Sequence, residues 1–466
     1  MADEYDVVVI GAGPPGENVA DRAVKAGLTA VIVESELVGG ECSYWACMPS
    51  KALLRPVAVV AEAGHVQGVH GARLDPAAVF ARRDSFTSHW DDGGQVEWLD
   101  GAHVDLVRGH GRLTGPRTVT VGLGAAGTWQ LRARHAVVLA TGSRALVPPL
   151  PGLAEARPWT SREVTSSHRA PGRLAIIGGG VVGCEMAAAW QSFGAAVTLL
   201  AREPGLLDRL EDFAGELVAK GLSEAGVDVR TGTAVSAVER PVPGGPVTLR
   251  LDDQTTVAAD EVLVAAGRAP RSDDIGLETV GLEPGSWLDV DGTLRVTGVE
   301  GGWLYAIGDV NHLALLTHMG KYQARICGDA IAARAGGDEP AATAWADQSA
   351  VPQVIFTTPE VASVGLTAAQ ARADGRNVRV VDYDLGGVSG AKLFRDSYTG
   401  QARMVVDEDS RTMIGATLAG PGVGELIHAA TVAVAGQVPL DRLWHAVPSY
   451  PTMSEIWLRL LEGYGL

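Results

Sequence analysis

Two cysteines, Cys42 and Cys47, are the residues of this 466-residue chain whose type and spacing most directly suggest chemistry. On a regular α-helix, residues five apart lie about 140° apart around the axis and about 7.5 Å apart along it. A disulfide requires Cα atoms within about 7 Å of each other. A bond between these sulfurs therefore needs a distorted turn, which would leave it strained and easier to reduce. Two structural thiols are an alternative, as is half of a metal site, although no second Cys/His pair nearby completes tetrahedral zinc.

A glycine-rich segment near the N-terminus predicts a dinucleotide-binding site. The apolar stretch 6–10 is followed by Gly11, Gly13 and Gly16 in the pattern Gly-x-Gly-x-x-Gly. The first glycine forms a tight turn, the second lets the backbone approach a pyrophosphate, and the third packs a helix on the strand. Glu34 ends the next apolar strand, where a carboxylate binds ribose hydroxyls. A glycine triplet alone can be a mere tight turn, but the strand, the spacing and the acid together indicate a nucleotide.

The same arrangement recurs at residues 173–200 and predicts a second dinucleotide site. Gly178, Gly180 and Gly183 follow an apolar strand and precede a helix. The second strand is not followed by an acid, and Arg202 there could pair with a 2′-phosphate. We therefore expect NADP as the second cofactor, with NAD also possible. The alternative is that Arg202 is a solvated surface arginine.

The order of the predicted elements indicates the fold class. Strands alternate with helices in both glycine-rich segments, which predicts βαβ units on parallel sheets. Towards the C-terminus strands precede a helix at 424–435, the order of an α+β domain. The strand candidates in this part are 353–356, 378–381, 401–406 and 411–418. We therefore predict an α/β protein with two Rossmann-like domains and a C-terminal α+β domain. Turn-rich stretches at 148–152, 281–285 and 333–340 suggest the domain boundaries.

Composition limits the possible classes of function. Lys and Arg number 38 against 55 Asp and Glu, so the formal net charge is −17. Such a charge argues against sequence-independent binding of nucleic acid and of anionic membranes. The apolar runs are interrupted by glycines and charges, and the N-terminus is acidic where a signal peptide is positively charged. We therefore expect no membrane insertion and a cytoplasmic location. Four cysteines are too few for a secreted disulfide scaffold.

Together these motifs resemble those of the flavoprotein pyridine nucleotide–disulfide oxidoreductases, the family of dihydrolipoamide dehydrogenase, glutathione reductase and mercuric reductase. The resemblance covers essentially the whole chain. Besides both glycine patterns and Cys42-x4-Cys47-x-Pro-Ser-Lys51, it includes the segments 140–143, 266–270, 304–309, 358–366 and 451–455. It implies an FAD enzyme with a redox-active disulfide that forms a homodimer. It assigns 1–150 and 281–345 to FAD binding, 151–280 to NAD(P) binding, and 346–466 to the dimer interface.

The resemblance also implies roles for individual residues. Cys47 would face the flavin, and Cys42 would exchange with the substrate. Lys51 would lie near the flavin N5 and pair with Glu185, although Lys51 could instead cap a helix. The helix beginning near Thr317 would direct its N-terminus at the flavin pyrimidine ring and stabilise the reduced anion. The further cofactor-binding residues are Gly111, Thr141, Gly142, Gly267 and Asp309, in addition to the first glycine pattern and Glu34, which would hold FAD.

Tyr450 departs from the family pattern. Members that reduce disulfides have a histidine at this position, oriented by a glutamate that matches Glu455. Histidine titrates near pH 6.5 and tyrosine near pH 10, so a tyrosine is a poor general base at neutral pH. We therefore predict weak activity on dithiols and disulfides, and better activity on acceptors such as quinones that need no protein base.

The identity of the small-molecule electron acceptor stays open. The segment 43–46 between the cysteines is more aromatic than usual in the family, and no C-terminal cysteine pair is present, which argues against activity on mercury. One alternative is a soluble transhydrogenase or quinone reductase in which the cysteine pair is secondary. Another is a non-catalytic flavoprotein that serves as a binding partner.

Overall fold

The computed structural model describes residues 3–466, which fall into two compact units. The first unit comprises the described residues up to Pro49, together with Asp84–Arg144 and Arg268–Asp347. The second comprises Ser50–Arg83, Ala145–Gly267 and Gln348–Leu466. The division of the chain at residues 150, 280 and 345 stays a prediction.

The first unit is built on a seven-stranded sheet. Glu4–Ile10 pairs in parallel with Ala30–Glu34 on one side and with Thr128–Leu139 on the other. Val7 and Val8 point to opposite faces of the sheet and are both fully buried, as expected for a parallel sheet covered on both sides. The sheet order is Asp105–Arg108, Ala30–Glu34, Glu4–Ile10, Thr128–Leu139, Thr118–Gly122 and His110–Gly115, with Leu304–Ala306 pairing with Thr128–Leu139.

Helices pack around this sheet. Pro14–Lys25 begins with two prolines, which the first helical turn tolerates because its N–H groups have no intrahelical partners. Thr317–Gly336 is capped by Gly337, so the first four residues of the stretch 333–340, which the sequence marks as a break, are helical. The other elements are the helices Gly40–Tyr44 and Gly93–Gly101, the 3₁₀ turns Ser88–Trp90, Gly124–Ala126, Leu277–Val280 and Gly308–Asn311, and the paired strands Ser143–Ala145 and Arg268–Pro270. Cys47–Ala63 begins in this unit and continues into the second.

The second unit contains the other nucleotide-binding fold. Arg173–Ile177, Val181–Ser192 and Ala196–Leu200 form the predicted strand–helix–strand repeat. The parallel sheet has the order Asp228–Arg230, Ala196–Leu200, Arg173–Ile177 and Glu261–Val264, and Val235–Glu239, Val247–Leu251 and Thr256–Ala259 form a separate antiparallel sheet. The remaining helices here are Ser161–Ser166 and Asp212–Glu224, while Pro76–Phe86 begins in this unit and ends in the first.

The C-terminal part of this unit is an antiparallel sheet with helices, which confirms the predicted α+β class. The strand order is Pro352–Ile355, Glu360–Gly365, Thr412–Gly420, Gln401–Asp407 and Val378–Asp384. The strand Glu360–Gly365 was not predicted because Ala362, Ser363 and Gly365 give it weak β-propensity. The helices are Ala368–Ala373, Ser389–Phe394, Ile427–Ala435, Leu440–Leu443 and Glu455–Tyr464, with 3₁₀ turns at Leu385–Gly387 and Val423–Glu425. The short helix Ala346–Ser349 begins in the first unit and ends in this one. Within residues 3–466, no helix is long and apolar enough to cross a membrane.

Candidate active site

The first glycine turn has the geometry that a dinucleotide phosphate requires. Gly11 has φ +104°, and a Cβ there would lie 2.4 Å from the carbonyl oxygen of Ala140. A Cβ on Gly16 would lie 2.0 Å from the carbonyl oxygen of Gly11. Gly13 has an ordinary φ of −69°, and its Cβ would meet only Pro15, at 3.8 Å. The fold therefore requires glycine at the first and third positions, while the open space at Gly13 suits the close approach of a phosphate.

The second glycine turn repeats this geometry in the second unit. Gly178 has φ +121°, and a Cβ there would lie 2.3 Å from the carbonyl oxygen of Ala265. A Cβ on Gly183 would lie 2.0 Å from the carbonyl oxygen of Gly178, whereas one on Gly180 would meet nothing within 4 Å. The space at the middle glycine again has no occupant from the protein, so both turns fit a nucleotide phosphate.

Glu34 is fixed beside the first glycine turn. Its side chain is buried, and its two carboxylate oxygens accept the backbone N–H groups of Ala12 and Glu36, each at 2.7 Å. A carboxylate has about four acceptor positions, so each oxygen keeps a lone pair for a ribose hydroxyl. Packing also favours glycine at position 111, because a Cβ on Gly111 would lie 2.9 Å from Cγ1 of Val33.

The cysteines lie on two separate helices. Cys42 is in the five-residue helix Gly40–Tyr44, and Cys47 begins the helix Cys47–Ala63. Trp45, with φ −136° and ψ 0°, ends the first helix, so the segment between the cysteines is not a continuous regular helix. Both cysteines are half-buried. No group of three or more metal-binding side chains occurs in the described part of the chain.

Cys47 contacts the start of a long helix. Its sulfur lies 3.2 Å from Oγ1 of Thr317, the first residue of Thr317–Gly336. A helix N-terminus carries a partial positive charge and favours negative charge nearby. This placement suits a sulfur that becomes a thiolate.

Asp309 belongs to a buried polar cluster. Its carboxylate accepts a hydrogen bond from the hydroxyl of Ser143, and Nε of Arg268 donates to the same hydroxyl at 2.8 Å. Burial raises the pKa of Asp309, while the Ser143 hydrogen bond and the charge of Arg268 act in the opposite direction. Ser143 and Arg268 lie in motifs that the sequence analysis noted, but no role was predicted for either.

Thr141 and Gly142 lie next to this cluster in the chain. The hydroxyl of Thr141 is buried and has no hydrogen-bond partner within residues 3–466. Buried polar groups are nearly always hydrogen-bonded, so this hydroxyl is suited to a ligand. Gly142 has φ +73°, a conformation that favours glycine. These features fit a cofactor at the position that the sequence assigned to FAD.

Lys51 and Glu185 form a close ion pair in the second unit. Nζ of Lys51 donates to both carboxylate oxygens, at 2.8 and 3.1 Å. Glu185 is 3% exposed and also accepts the backbone N–H of Phe356 at 3.0 Å. The Phe356 ring centroid lies 5.0 Å from Nζ of Lys51, a cation–π distance. The predicted pairing is therefore present in the geometry, and Phe356, which the sequence did not single out, supports both partners.

The structure places Arg202, which the sequence predicts to contact a 2′-phosphate, on the surface beside Glu203. Its side chain is 81% exposed, and Nη2 lies 2.7 Å from Oε1 of Glu203. A 2′-phosphate would therefore compete with Glu203 for this guanidinium. Gly267, which the resemblance names among the cofactor-binding residues, has φ +131° and nothing nearer to a Cβ than Leu146 at 3.8 Å.

Tyr450 and Glu455 are not joined by a hydrogen bond in the described part of the chain. Tyr450 is 76% exposed. Glu455 is buried, and its Oε1 accepts from Arg459. Its Oε2 is buried without a partner among the described residues. The carboxylate thus keeps one oxygen for a further donor.

The chain belongs to the pyridine nucleotide–disulphide oxidoreductase family. Residues 5–336 match this family, and residues 351–460 match its dimerisation domain. The protein is therefore an enzyme of a flavoprotein family that uses FAD, NAD(P)H and a redox-active disulfide.

Individual relatives agree with this assignment. The chain is 32% identical to the dihydrolipoyl dehydrogenase of Haloferax volcanii, covering 99% of this chain and 97% of the relative. It is 34% identical to dihydrolipoyl dehydrogenase 3 of Pseudomonas aeruginosa, covering 98% and 97%. Among solved structures, the HOCl-induced flavoprotein disulfide reductase RclA of Escherichia coli superimposes with a TM-score of 0.83, at 24% identity, covering 98% of this chain and 99% of RclA. This structural likeness shows the fold.

Glu17 lies beside the first glycine turn, at a position that the sequence did not single out. It follows Gly16 in the helix Pro14–Lys25, and its Oε1 is buried without a partner within residues 3–466. Burial raises the pKa of Glu17 to about 7. The positive charge of Lys321 acts to lower this pKa, and the negative charge of Glu34 acts to raise it. In the sequence this position is marked only by a glutamate directly after the glycine pattern, and a glutamate there does not by itself indicate burial.

We expect Glu17→Gln to stabilise the protein at pH 8 and not at pH 5. A carboxyl whose folded pKa is raised contributes stability below its unfolded pKa, and that stability is lost as the pH rises through about 7. The glutamine should raise the free energy of unfolding by roughly 2–3 kcal/mol at pH 8, measured by urea unfolding. Exposed Glu97→Gln is the control. An equal effect of Glu17→Gln at both pH values would show that the buried charge is not responsible.

Proposed function

We propose that this enzyme passes electron pairs from NAD(P)H through FAD to the Cys42–Cys47 disulfide, and from there to a small acceptor such as a disulfide or a quinone. The observation that carries this proposal is the placement of Cys47. It begins one helix, and its sulfur lies 3.2 Å from Thr317 at the start of another. Two helix N-termini at one sulfur favour the thiolate that disulfide reduction produces.

The residues that would hold the cofactors are those whose geometry fits nucleotides. The turn at Gly13 would take the FAD pyrophosphate, Glu34 the ribose hydroxyls, and Asp309 with Thr141 the polar chain of the flavin. The turn at Gly180 would take NAD(P)H. When bound, FAD supplies a hydride acceptor that can pass two electrons to a disulfide.

The side chains of the protein have separate tasks in this scheme. Lys51 would place a positive charge where negative charge develops on reduction, and Glu185 with Phe356 would hold Lys51 in place. Two-electron reduction opens the Cys42–Cys47 bond. The Cys42 thiolate then attacks one sulfur of an acceptor disulfide and expels the other as a thiolate. Cys47 attacks Cys42, which restores the disulfide and releases the second acceptor thiol.

The FAD part of this proposal has a simple test. The purified protein is expected to be yellow, with one FAD per chain, because the glycine turn, Glu34 and Asp309 together form a complete site. Absorbance of the released flavin against protein concentration measures this ratio. A folded, colourless preparation that takes up no added FAD would contradict the scheme.

We also propose a homodimer, which the match of residues 351–460 to the family's dimerisation domain supports. The tyrosine at position 450, where disulfide-reducing members have a histidine, supports the choice of acceptor, since tyrosine in general is a poor base at neutral pH. Quinones need no protein base at this position, so we propose that they are better acceptors than disulfides.

We propose that NADPH is the preferred donor and expect Arg202→Ala to raise KM for NADPH about tenfold, the effect of losing one charged hydrogen bond. KM for NADH should be unchanged. Glu203→Gln is the matched variant, because it keeps Arg202 and removes the carboxylate that competes with the phosphate; it should lower KM for NADPH. Steady-state kinetics with both donors measure these effects. Equal kcat/KM for NADPH in the wild type and in Arg202→Ala would refute the role.

A further inference from the structure

Residues 87–95, here called the brace, contact the cysteine-bearing segment at several points within the first unit. Nε1 of Trp90 donates to the carbonyl oxygen of Tyr44 at 3.2 Å. Nε2 of Gln95 donates to the hydroxyl of Ser43 at 3.1 Å. The carboxylate of Asp92 accepts the backbone N–H of Val38, four residues before Cys42, at 2.7 Å. The brace therefore holds both backbone and side-chain atoms on and before the turn that joins the cysteines.

The backbone carbonyl that accepts the Trp90 hydrogen bond lies between the two cysteines in the sequence. Tyr44 is the last residue of the helix that carries Cys42, where carbonyl groups lack intrahelical partners. Its side chain is 2% exposed, and its ring packs edge-on against Trp45 with centroids 5.7 Å apart. Since Cys47 begins the next helix, this peptide group lies in the short link between the two helices. The indole of Trp90 is a hydrogen-bond donor to that group.

The brace adopts an unfavourable backbone to reach this carbonyl. Ser88, His89 and Trp90 have φ of 49°, 54° and 58°, three consecutive left-handed residues of which none is glycine. Such conformations are costly for L-residues and persist where surrounding contacts enforce them, often beside functional sites. Here the strained turn ends in the residue that donates to the cysteine segment.

We propose that Trp90 is a positioning residue that fixes the separation of Cys42 and Cys47 and so sets the equilibrium between their disulfide and dithiol forms. The inference rests on the proposed function in that the pair must be redox-active. A disulfide tolerates only a narrow range of distances. By restricting the turn in the dithiol form, the brace reduces the freedom that is lost when the bond closes.

The test is the substitution Trp90→Phe, which keeps an aromatic ring and removes the N–H donor. The FAD-loaded full-length enzyme is equilibrated without oxygen in mixtures of reduced and oxidised glutathione. Each conversion forms the Cys42–Cys47 bond with loss of two protons and two electrons, and one oxidised glutathione becomes two reduced ones. Alkylation and mass measurement count the dithiol. We expect the equilibrium constant for closure to fall about tenfold, a positive shift of about 30 mV.

Two further variants make the result decisive. Trp98→Phe is the matched control, because Trp98 lies just beyond the brace, on the helix Gly93–Gly101, and is 46% exposed. The equilibrium constant for disulfide closure in this variant should stay within about twofold of the wild type. Gln95→Leu removes the contact with Ser43 and should shift the constant in the same direction by about threefold, a typical loss of one neutral hydrogen bond. It decides the question if Trp90→Phe does not hold FAD.

The outcomes separate this inference from the proposed function. If NADPH never converts the wild-type pair to a dithiol, the proposed function itself is wrong, and the inference falls with it. If the wild-type pair cycles but Trp90→Phe and Gln95→Leu keep its equilibrium constant, only the positioning role is wrong. An equal shift in Trp98→Phe would also overturn that role, because it would indicate a general loosening of the fold.

Discussion

Replacing Cys42 with serine is expected to abolish the turnover of disulfide substrates, by at least roughly 10³-fold, because it removes the attacking nucleophile. Reduction of a quinone by NAD(P)H should fall far less, since bound FAD can also pass electrons to a quinone directly when the cysteine pair is lost. Steady-state assays with both acceptors, on the same preparation, measure the separation of the two activities.

Cys47→Ser has a different expected signature. Two-electron reduction of the wild type should produce a long-wavelength absorbance band from the Cys47 thiolate against the oxidised flavin, and this variant should lack it. Cys327→Ala is the control, because Cys327 is fully buried and burial raises the pKa of its thiol. A band that persists in Cys47→Ser would show that another group faces the flavin.

Tyr450→His is expected to increase turnover of a disulfide substrate by about 10²-fold, the lower end of what a positioned general acid–base contributes. The family resemblance assigns to Glu455 the role of orienting this histidine, and its Oε2 is buried with no partner within residues 3–466. The rate should follow the titration of a histidine near pH 6.5, whereas quinone turnover should not change.

Two further variants test whether the added histidine and its orientation by Glu455 cause this increase in turnover. Tyr450→Phe should behave like the wild type, because the solvated phenol is not expected to act as a base. The double variant Tyr450→His with Glu455→Gln should lose most of the gain, because the imidazole is no longer oriented by a carboxylate. Robust wild-type turnover of a disulfide, unchanged or lowered by the histidine, would show that another group supplies the proton.

The sequence predicted those features that depend on local spacing. Gly11 and Gly16 are fixed by contacts within a single strand–turn–helix unit, so their pattern indicates the turn directly. A disulfide between Cys42 and Cys47, five residues apart, would likewise require a departure from regular helix, and the backbone leaves the helical conformation at Trp45. The family resemblance supplied the pairing of Lys51 with a glutamate 134 residues away, which no local pattern indicates.

Features that depend on distant segments were not predictable in this way. Phe356 contacts Glu185 across 171 residues of sequence, and its N–H is a backbone group that has no sequence signature. The left-handed turn at Ser88–Trp90 contains no glycine, so the usual indicator of positive φ is absent. The raised pKa of Glu17 depends on burial and on the charges of Lys321 and Glu34, which are distant from it in the sequence. In each case the missing information is tertiary contact.

The central claim is that the Cys42–Cys47 pair stores electrons in addition to FAD. Anaerobic titration with NADPH, followed by absorbance, tests it most directly. We predict that the enzyme accepts two NADPH equivalents per chain, the first producing the long-wavelength band and the second bleaching the flavin, with two new thiols trapped by alkylation. Bleaching complete after a single equivalent, with no band and no new thiols, would contradict the account.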